Sequence, residues 1–250
     1  MMDDDQAVAI MGNHELNAIL YHTKGKNSDG SADGYMRSHS DKNYEQHQTF
    51  LAEPLGDPQT QKILDWFLDL PLFLELDGLR LIHACWDQAL VDQVLERLPD
   101  GKLKREDLQD VALENSATPF CHAVTTLLKG PEVRLPDGYS FLDKNGIRRT
   151  HVRVKWWASS GAKWADVALS VQDTGSLPDE AFSLEADIEF YASDAPPVFF
   201  GHYKRDGAQI KPDAHNVMCL DYPETPCAYR WNGEAILDRS SLISRMRMTR

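Results

Sequence analysis

Four side chains in this sequence have the type and setting to hold a divalent cation or to move a proton: Asn13, His14, His83 and His202. Each follows a short apolar run. Ala7–Glu15 reads AVAIMGNHE, Leu79–Trp86 reads LRLIHACW and Pro197–Tyr203 reads PVFFGHY. Apolar runs of this length read as buried strands, and in open α/β sheets ligands sit just beyond the carboxyl ends of the strands. Imidazole nitrogen and amide oxygen suit Zn, Fe, Mn and related divalent ions. Gly12 and Gly201, placed before Asn13 and His202, are expected to permit sharp turns and a close backbone approach to an ion or a phosphate. Taken singly, each residue has a plain structural reading: His83 as a satisfied core histidine and Asn13 as a turn former. The shared layout is what makes them a site.

The elements that must position these residues can be read in outline. Ala7 to Met11 is expected to form a buried strand running into a loop at Gly12. Tyr21 to Pro58 is rich in Gly, Ser, Asn, Asp and His and reads as a long loop or cap (residues 21–58). Gln59 to Leu70 has helical spacing and stops at Pro71. Leu79 to Ala84 reads as a second buried strand after an Asp77-Gly78 turn. Helices are expected over Leu90–Leu98, Arg105–Asn115 and Pro119–Leu128, with Gly130-Pro131 closing the last. Beyond that point, runs at Val152–Trp157, Pro197–Tyr203, Val217–Tyr222 and Cys227–Trp231 alternate with turn residues and read as strands. No internal repeat, low-complexity tract or linker interrupts the pattern, so a single α/β domain over residues 1–250 is the economical reading.

Composition narrows the class. The chain is 42% hydrophobic and 26% charged, as in ordinary globular proteins, and its net charge of −13 argues against a partner made of nucleic-acid polymer. An acidic protein that handled phosphate esters would need a local positive source, and bound divalent cations are the usual one. Cys85, Cys121, Cys219 and Cys227 form no CxxC pair and sit among apolar residues, so they read as buried reduced thiols in a cytoplasmic protein. No apolar run approaches the length of a membrane span.

Gly12-Asn13-His14-Glu15 resembles the GNHE motif of the calcineurin-like metallophosphoesterases, which include phosphoprotein phosphatases and diadenosine tetraphosphatases. His83 in HACW resembles the family's next metal-binding histidine, and His202 in FFGHY its late Gly-His element. The cap segment HSDKNYEQHQTF, the KGPE turn and the LDY and YRW segments near the end look like a bacterial branch of the family, so the likeness extends over essentially the whole chain. GNHE is the specific part; the other two motifs are weak without it.

The resemblance implies an α/β sandwich of two mixed sheets flanked by helices. It implies a hydrolase acting on phosphate monoesters or dinucleoside polyphosphates, in which two cations about 3.5–4 Å apart share an attacking hydroxide. Asn13, His83 and His202 would bind the second metal, drawn from Mn, Fe, Zn or Ni. His14 would touch the phosphate and protonate the leaving oxygen. Glu15, with Gly12 and Gly201, would support the ligands. Partners would be a phosphorylated small molecule, a dinucleoside polyphosphate or a phosphoprotein. In the cap, His39 and Lys42 could contact phosphate, with a solvated loop as the alternative; His22 and His47 stand beside them.

The chain also departs from the family. Members open with a strand ending Asp-x-His and a second ending Gly-Asp-x-x-Asp-Arg-Gly, which supply the first metal's ligands and the carboxylate bridging both metals. Asp213-Ala214-His215 has the first spacing in the wrong order, and Gly56-Asp57 is followed by Pro58 rather than the second motif. The expectation is therefore a chain truncated at its N-terminus, short of a strand–helix–strand unit of roughly 30 residues or more. At most one cation would bind, weakly, and turnover would be impaired. Two alternatives stay open: a non-catalytic remnant or binding module, and a mononuclear site built from His83 and His202 with Cys85 or Cys219. Trp156 and Trp157 are expected in the core, and the Arg239–Arg250 tail is expected to be a frayed end.

Overall fold

A computed structural model describes residues 6–27, 33–53, 56–113, 118–144, 146–182, 189–205 and 209–244. Among them are seven α-helices and eleven short strands in several sheets, a mixed α/β fold. The chain divides into two compact units, Met1–Leu74 with Gln88–Leu128, and Glu75–Asp87 with Lys129–Arg250. Among the described residues no helix is long and apolar enough to cross a membrane.

The first unit is helical. Helix α1 (Asn13–His22) starts at Gly12 and buries Leu16, Ala18, Ile19, Leu20 and Tyr21. Helix α2 (Asp41–Leu51) is polar along its length and buries no residue completely, as its sequence DKNYEQHQTFL requires. Helix α3 (Asp57–Leu68) packs against α1. It begins after Gly56 with Pro58 in its first turn, where the missing amide costs nothing. Later in the chain, α4 (Gln88–Arg97) buries Val91 and Val94. A 3-10 turn at Arg105–Asp107 leads into α5 (Leu108–Ala112), and α6 (Pro119–Lys129) turns Ala123, Val124, Leu127 and Leu128 inward. Asp107 is buried, but its carboxylate is satisfied: Oδ1 pairs with Arg97 at 2.7 Å and Oδ2 accepts the Lys104 amide at 2.9 Å.

Two expectations need correction here. Ala7–Met11 forms no strand: Val8 is 62% exposed, and the hydrogen bond from the Met11 amide to Pro71 O at 2.8 Å ties down only the end of the run. Apolar character alone cannot make a strand, because a ladder needs a partner for each amide. The supposed cap is likewise not all loop, since α2 and the start of α3 lie within residues 21–58. The expected end of the Arg105–Asn115 helix falls outside the described residues.

The second unit rests on a four-stranded sheet whose strands lie in the order Phe73–Leu76, Leu79–Ile82, Val198–Phe200, Val217–Cys219. Strands β1 (Phe73–Leu76) and β2 (Leu79–Ile82) flank the Asp77-Gly78 turn, with Gly78 at φ +76° supplying the left-handed residue. Strand β3 (Glu132–Arg134) leads to the hairpin pair β4 (Phe141–Leu142) and β5 (Arg148–Arg149), then to β6 (His151–Val154). The one-turn helix α7 (Trp164–Val167) leads directly into β7 (Ala168–Leu169), and β3, β6 and β7 form an antiparallel sheet over a core of Val133, Val152, Val154, Trp164 and Phe182. Strands β8 (Val198–Phe200) and β9 (Val217–Cys219) run parallel to each other, and β8 runs parallel to β2. All six residues of β8 and β9 are buried, which is why both segments read as unbroken apolar runs. Strands β10 (Cys227–Tyr229) and β11 (Leu242–Ser244) pair antiparallel, and Tyr229 and Leu242 pack against the cluster of Leu79, Phe199 and Met218. Each large side chain so buried contributes about 1.5–3 kcal/mol.

Candidate functional site: two histidines at parallel strand ends

Register brings His83 and His202 together. Leu81 lies opposite Phe199 and Phe199 opposite Met218, and the ladder continues past the strands through Gly201 N to His83 O at 2.9 Å and Leu220 N to Phe200 O at 2.8 Å. Both histidines thus leave the sheet at the same carboxyl end, half-buried, with ring centroids 5.3 Å apart and planes at 72°. Asp221 extends β9 at this end, and its carbonyl accepts the Arg205 amide at 2.8 Å.

The turn that presents His202 carries the conformational load. His202 has φ 65°, a left-handed value rare for a residue with a side chain, and the Tyr203 amide closes back on Gly201 O at 2.7 Å. This is a three-residue turn with a positive central φ, a strained form that persists only where its surroundings enforce it. The demand was expected to fall on Gly201. A Cβ there would meet His83 O at 3.8 Å and Asp221 Cβ at 3.9 Å, ordinary contacts, so the position does not require glycine. Gly12 has φ −106°, a backbone conformation open to any residue.

Aromatic packing enforces the turn. Tyr203 is buried and stands edge-on to Trp157 at 5.5 Å and Phe200 at 5.7 Å. Trp156 is fully buried, as expected, while Trp157 is half-buried. Trp156 Nε1 donates to Ala84 O at 2.8 Å and so fixes the residue after His83. Gly130 is indispensable here: at φ +77° it brings the backbone so near Tyr203 that an added Cβ would lie 1.9 Å from the hydroxyl oxygen.

The cysteines near the pair are buried thiols. Burial pushes Cys85 well up, and pushes Cys219 up to about 11, so neither offers a thiolate at neutral pH. The Cys219 thiol points at Tyr203 O, 3.5 Å away. Among the described residues no group of three or more His, Cys, Asp or Glu side chains is gathered as a cation site. Asp213 and His215 serve the fold. Asp213 pairs with Arg205 at 2.5 Å and accepts the Cys219 amide at 2.8 Å, while His215 Nε2 donates to Ser193 O at 2.6 Å. Burial pushes the Asp213 carboxyl up against the pull of Arg205.

Sequence reasoning missed a groove of about 730 Å³ lined by Lys155, Trp157, Asp166, Arg205, Lys211 and Asp213. The Arg205 guanidinium lies over the Trp157 ring at 5.5 Å. Lys204-Arg205 directly after GHY was the available signal, but basic residues on an acidic chain ordinarily read as solvated.

The GNHE residues open α1 in the first unit. The Gly12 amide donates to Glu15 Oε2 at 3.0 Å, so Glu15 closes the helix start. Asn13 is half-buried and His14 exposed, both in the first turn, where the helix dipole favours anions. His14 and Glu15 line a groove of about 480 Å³ with Gln46, His47, Glu53 and Phe67. His39 is sandwiched between Tyr21 (3.9 Å) and Tyr35 (4.0 Å), and its Nε2 donates to Tyr21 O at 2.8 Å. Lys42 is exposed on α2. Comparison with family models, curated proteins and solved structures finds no match to this chain.

Proposed function

We propose that this chain is a phosphoesterase of the calcineurin-like type, a sandwich of two mixed sheets that hydrolyses phosphate monoesters or dinucleoside polyphosphates with the help of divalent metal. The observation that carries the reading is the pairing of His83 and His202 at adjacent parallel strand ends, with His202 held in a strained turn. Backbone strain kept at a polar residue is a mark of functional sites. The donor chemistry of the two imidazoles fits a borderline cation such as Mn, Fe, Zn or Ni. Such an ion would act as a Lewis acid toward phosphoryl oxygen. These donors are neutral, so the ion would be held weakly and turnover would be slow. His14 is assigned the proton for the leaving oxygen. Lys155, Arg205 and Lys211 give the second unit cations for an anionic substrate.

The test is Mn2+ binding followed by electron paramagnetic resonance, with phosphate release from p-nitrophenyl phosphate measured in parallel. One weakly bound ion is expected, lost in both His83→Ala and His202→Ala, with slow release that falls further in His14→Ala. Manganese binding indifferent to both strand-end substitutions would sink the proposal. A second reading, a binding module without turnover, is favoured by the donor types themselves, since imidazole and amide bring no anionic charge to an ion. It predicts the same metal loss with no release above background in any variant.

A further inference from the structure

We propose that His22 and His47, in the first unit, form a binding site for a borderline transition-metal ion of the Zn2+, Ni2+ or Cu2+ type. The two Nε2 atoms lie 3.1 Å apart although the residues are 25 positions apart in sequence. Zinc–imidazole bonds of about 2.0–2.1 Å put two nitrogens about 3.3–3.4 Å apart at a tetrahedral angle and about 2.9 Å apart at a right angle. The observed separation falls between these limits.

The rings are held in place by packing. Phe50, one turn beyond His47 on α2, stacks on that ring at 4.9 Å and 22°, and meets His22 edge-on at 6.0 Å. Tyr21 packs on His47 at 4.8 Å. Donors fixed in this way lose little entropy on binding an ion. The surroundings also suit a cation. His22 ends α1, where the helix dipole is negative. Glu53 lines both neighbouring grooves, the 480 Å³ one with His47 and a second of about 360 Å³ with His22 and Asp57. Burial lowers both histidines, with His39 adding to the shift of His22, and with His22, Arg37, His39 and His14 adding to that of His47, which falls to about 4. Both are neutral at pH 7, the form that ligates metal, and an ion binds against the positive charge of Arg37. The cluster of three carboxylate, thiol or imidazole donors that marks a closed structural site does not occur among the described residues, so water would complete the coordination. A hydrogen bond between opposite tautomers gives the same distance, and metal binding separates the two accounts.

The experiment uses the untagged full chain, stripped with chelator and titrated with Zn2+ by calorimetry. Binding of one ion is expected to survive in the His83→Gln/His202→Gln double variant. In His22→Gln and in His47→Gln its affinity should fall roughly tenfold or more, as the loss of one of two nitrogen donors requires. His151→Gln, at an exposed histidine of β6 in the second unit, should bind as the parent does. As a readout free of any folding defect in the variants, the ring 1H–15N signals of His22 and His47 in the parent chain must shift on addition of Zn2+. Absence of binding, unmoved His22 and His47 signals, or affinity indifferent to both substitutions overturns the proposal.

Discussion

The two histidine pairs are built in opposite ways. His83 and His202 are delivered by parallel strands, β2 partly and β8 fully buried, and their spacing follows from register, with the cost concentrated in the positive φ of His202. His22 and His47 are delivered by two helices, one of which buries no residue completely, and their spacing follows from a local stack of aromatic rings. The first pair should therefore fail when the core beneath it is disturbed, even where no ligand is touched. The second should tolerate such damage and respond to changes in its own rings. A site on buried strands inherits the rigidity of the sheet, whereas a site on an amphipathic surface has to make its own.

The largest expected effect tests that dependence. Gly130→Ala forces a Cβ onto the Tyr203 hydroxyl at a left-handed backbone position and should cost about 2–4 kcal/mol in urea unfolding. It should weaken Mn2+ binding at the strand ends while Zn2+ still moves the His22 and His47 signals. Equal loss at both pairs would erase the contrast. A smaller effect isolates the strain itself. Both His202→Gly and His202→Ala remove the imidazole, but only glycine relaxes the turn, so His202→Gly should be the more stable by about 1–2 kcal/mol. The ordinary order, with alanine ahead, would mean that the turn carries no strain. Least of the three, Glu15→Ala removes the acceptor of the Gly12 amide and should destabilise by about 1 kcal/mol. Zinc binding at the far end of α1 should persist in that variant, and its loss would show that the helix pair is less self-contained than its packing suggests.

Much of the scaffold was legible because burial writes itself into composition. Strands β8 and β9 are unbroken apolar runs, β2 is apolar but for Arg80, and the helices from Gln59, Leu90 and Pro119 show their spacing and their stops. The failures have physical causes. Ala7–Met11 is apolar enough for a strand, yet pairing is a property of a neighbour and not of the segment. Helix α2 was hidden because DKNYEQHQTFL has little apolar periodicity to detect. His22 and His47 stand out in the sequence only as cap-segment histidines beside His39 and Lys42, since nothing in their spacing brings two ring nitrogens within 3.1 Å.

The sequence by itself determined the chemistry on offer: which residues can bind a cation, and that apolar runs end at His83 and at Gly201-His202. Tertiary structure alone decided who meets whom. It set His83 beside His202 through parallel register, moved the backbone strain from Gly201 to His202, and stacked Phe50 and Tyr21 around a second pair of imidazoles. The reason is that side-chain type is local information, whereas ring–ring distance is the sum of every register, turn and packing choice between the two residues.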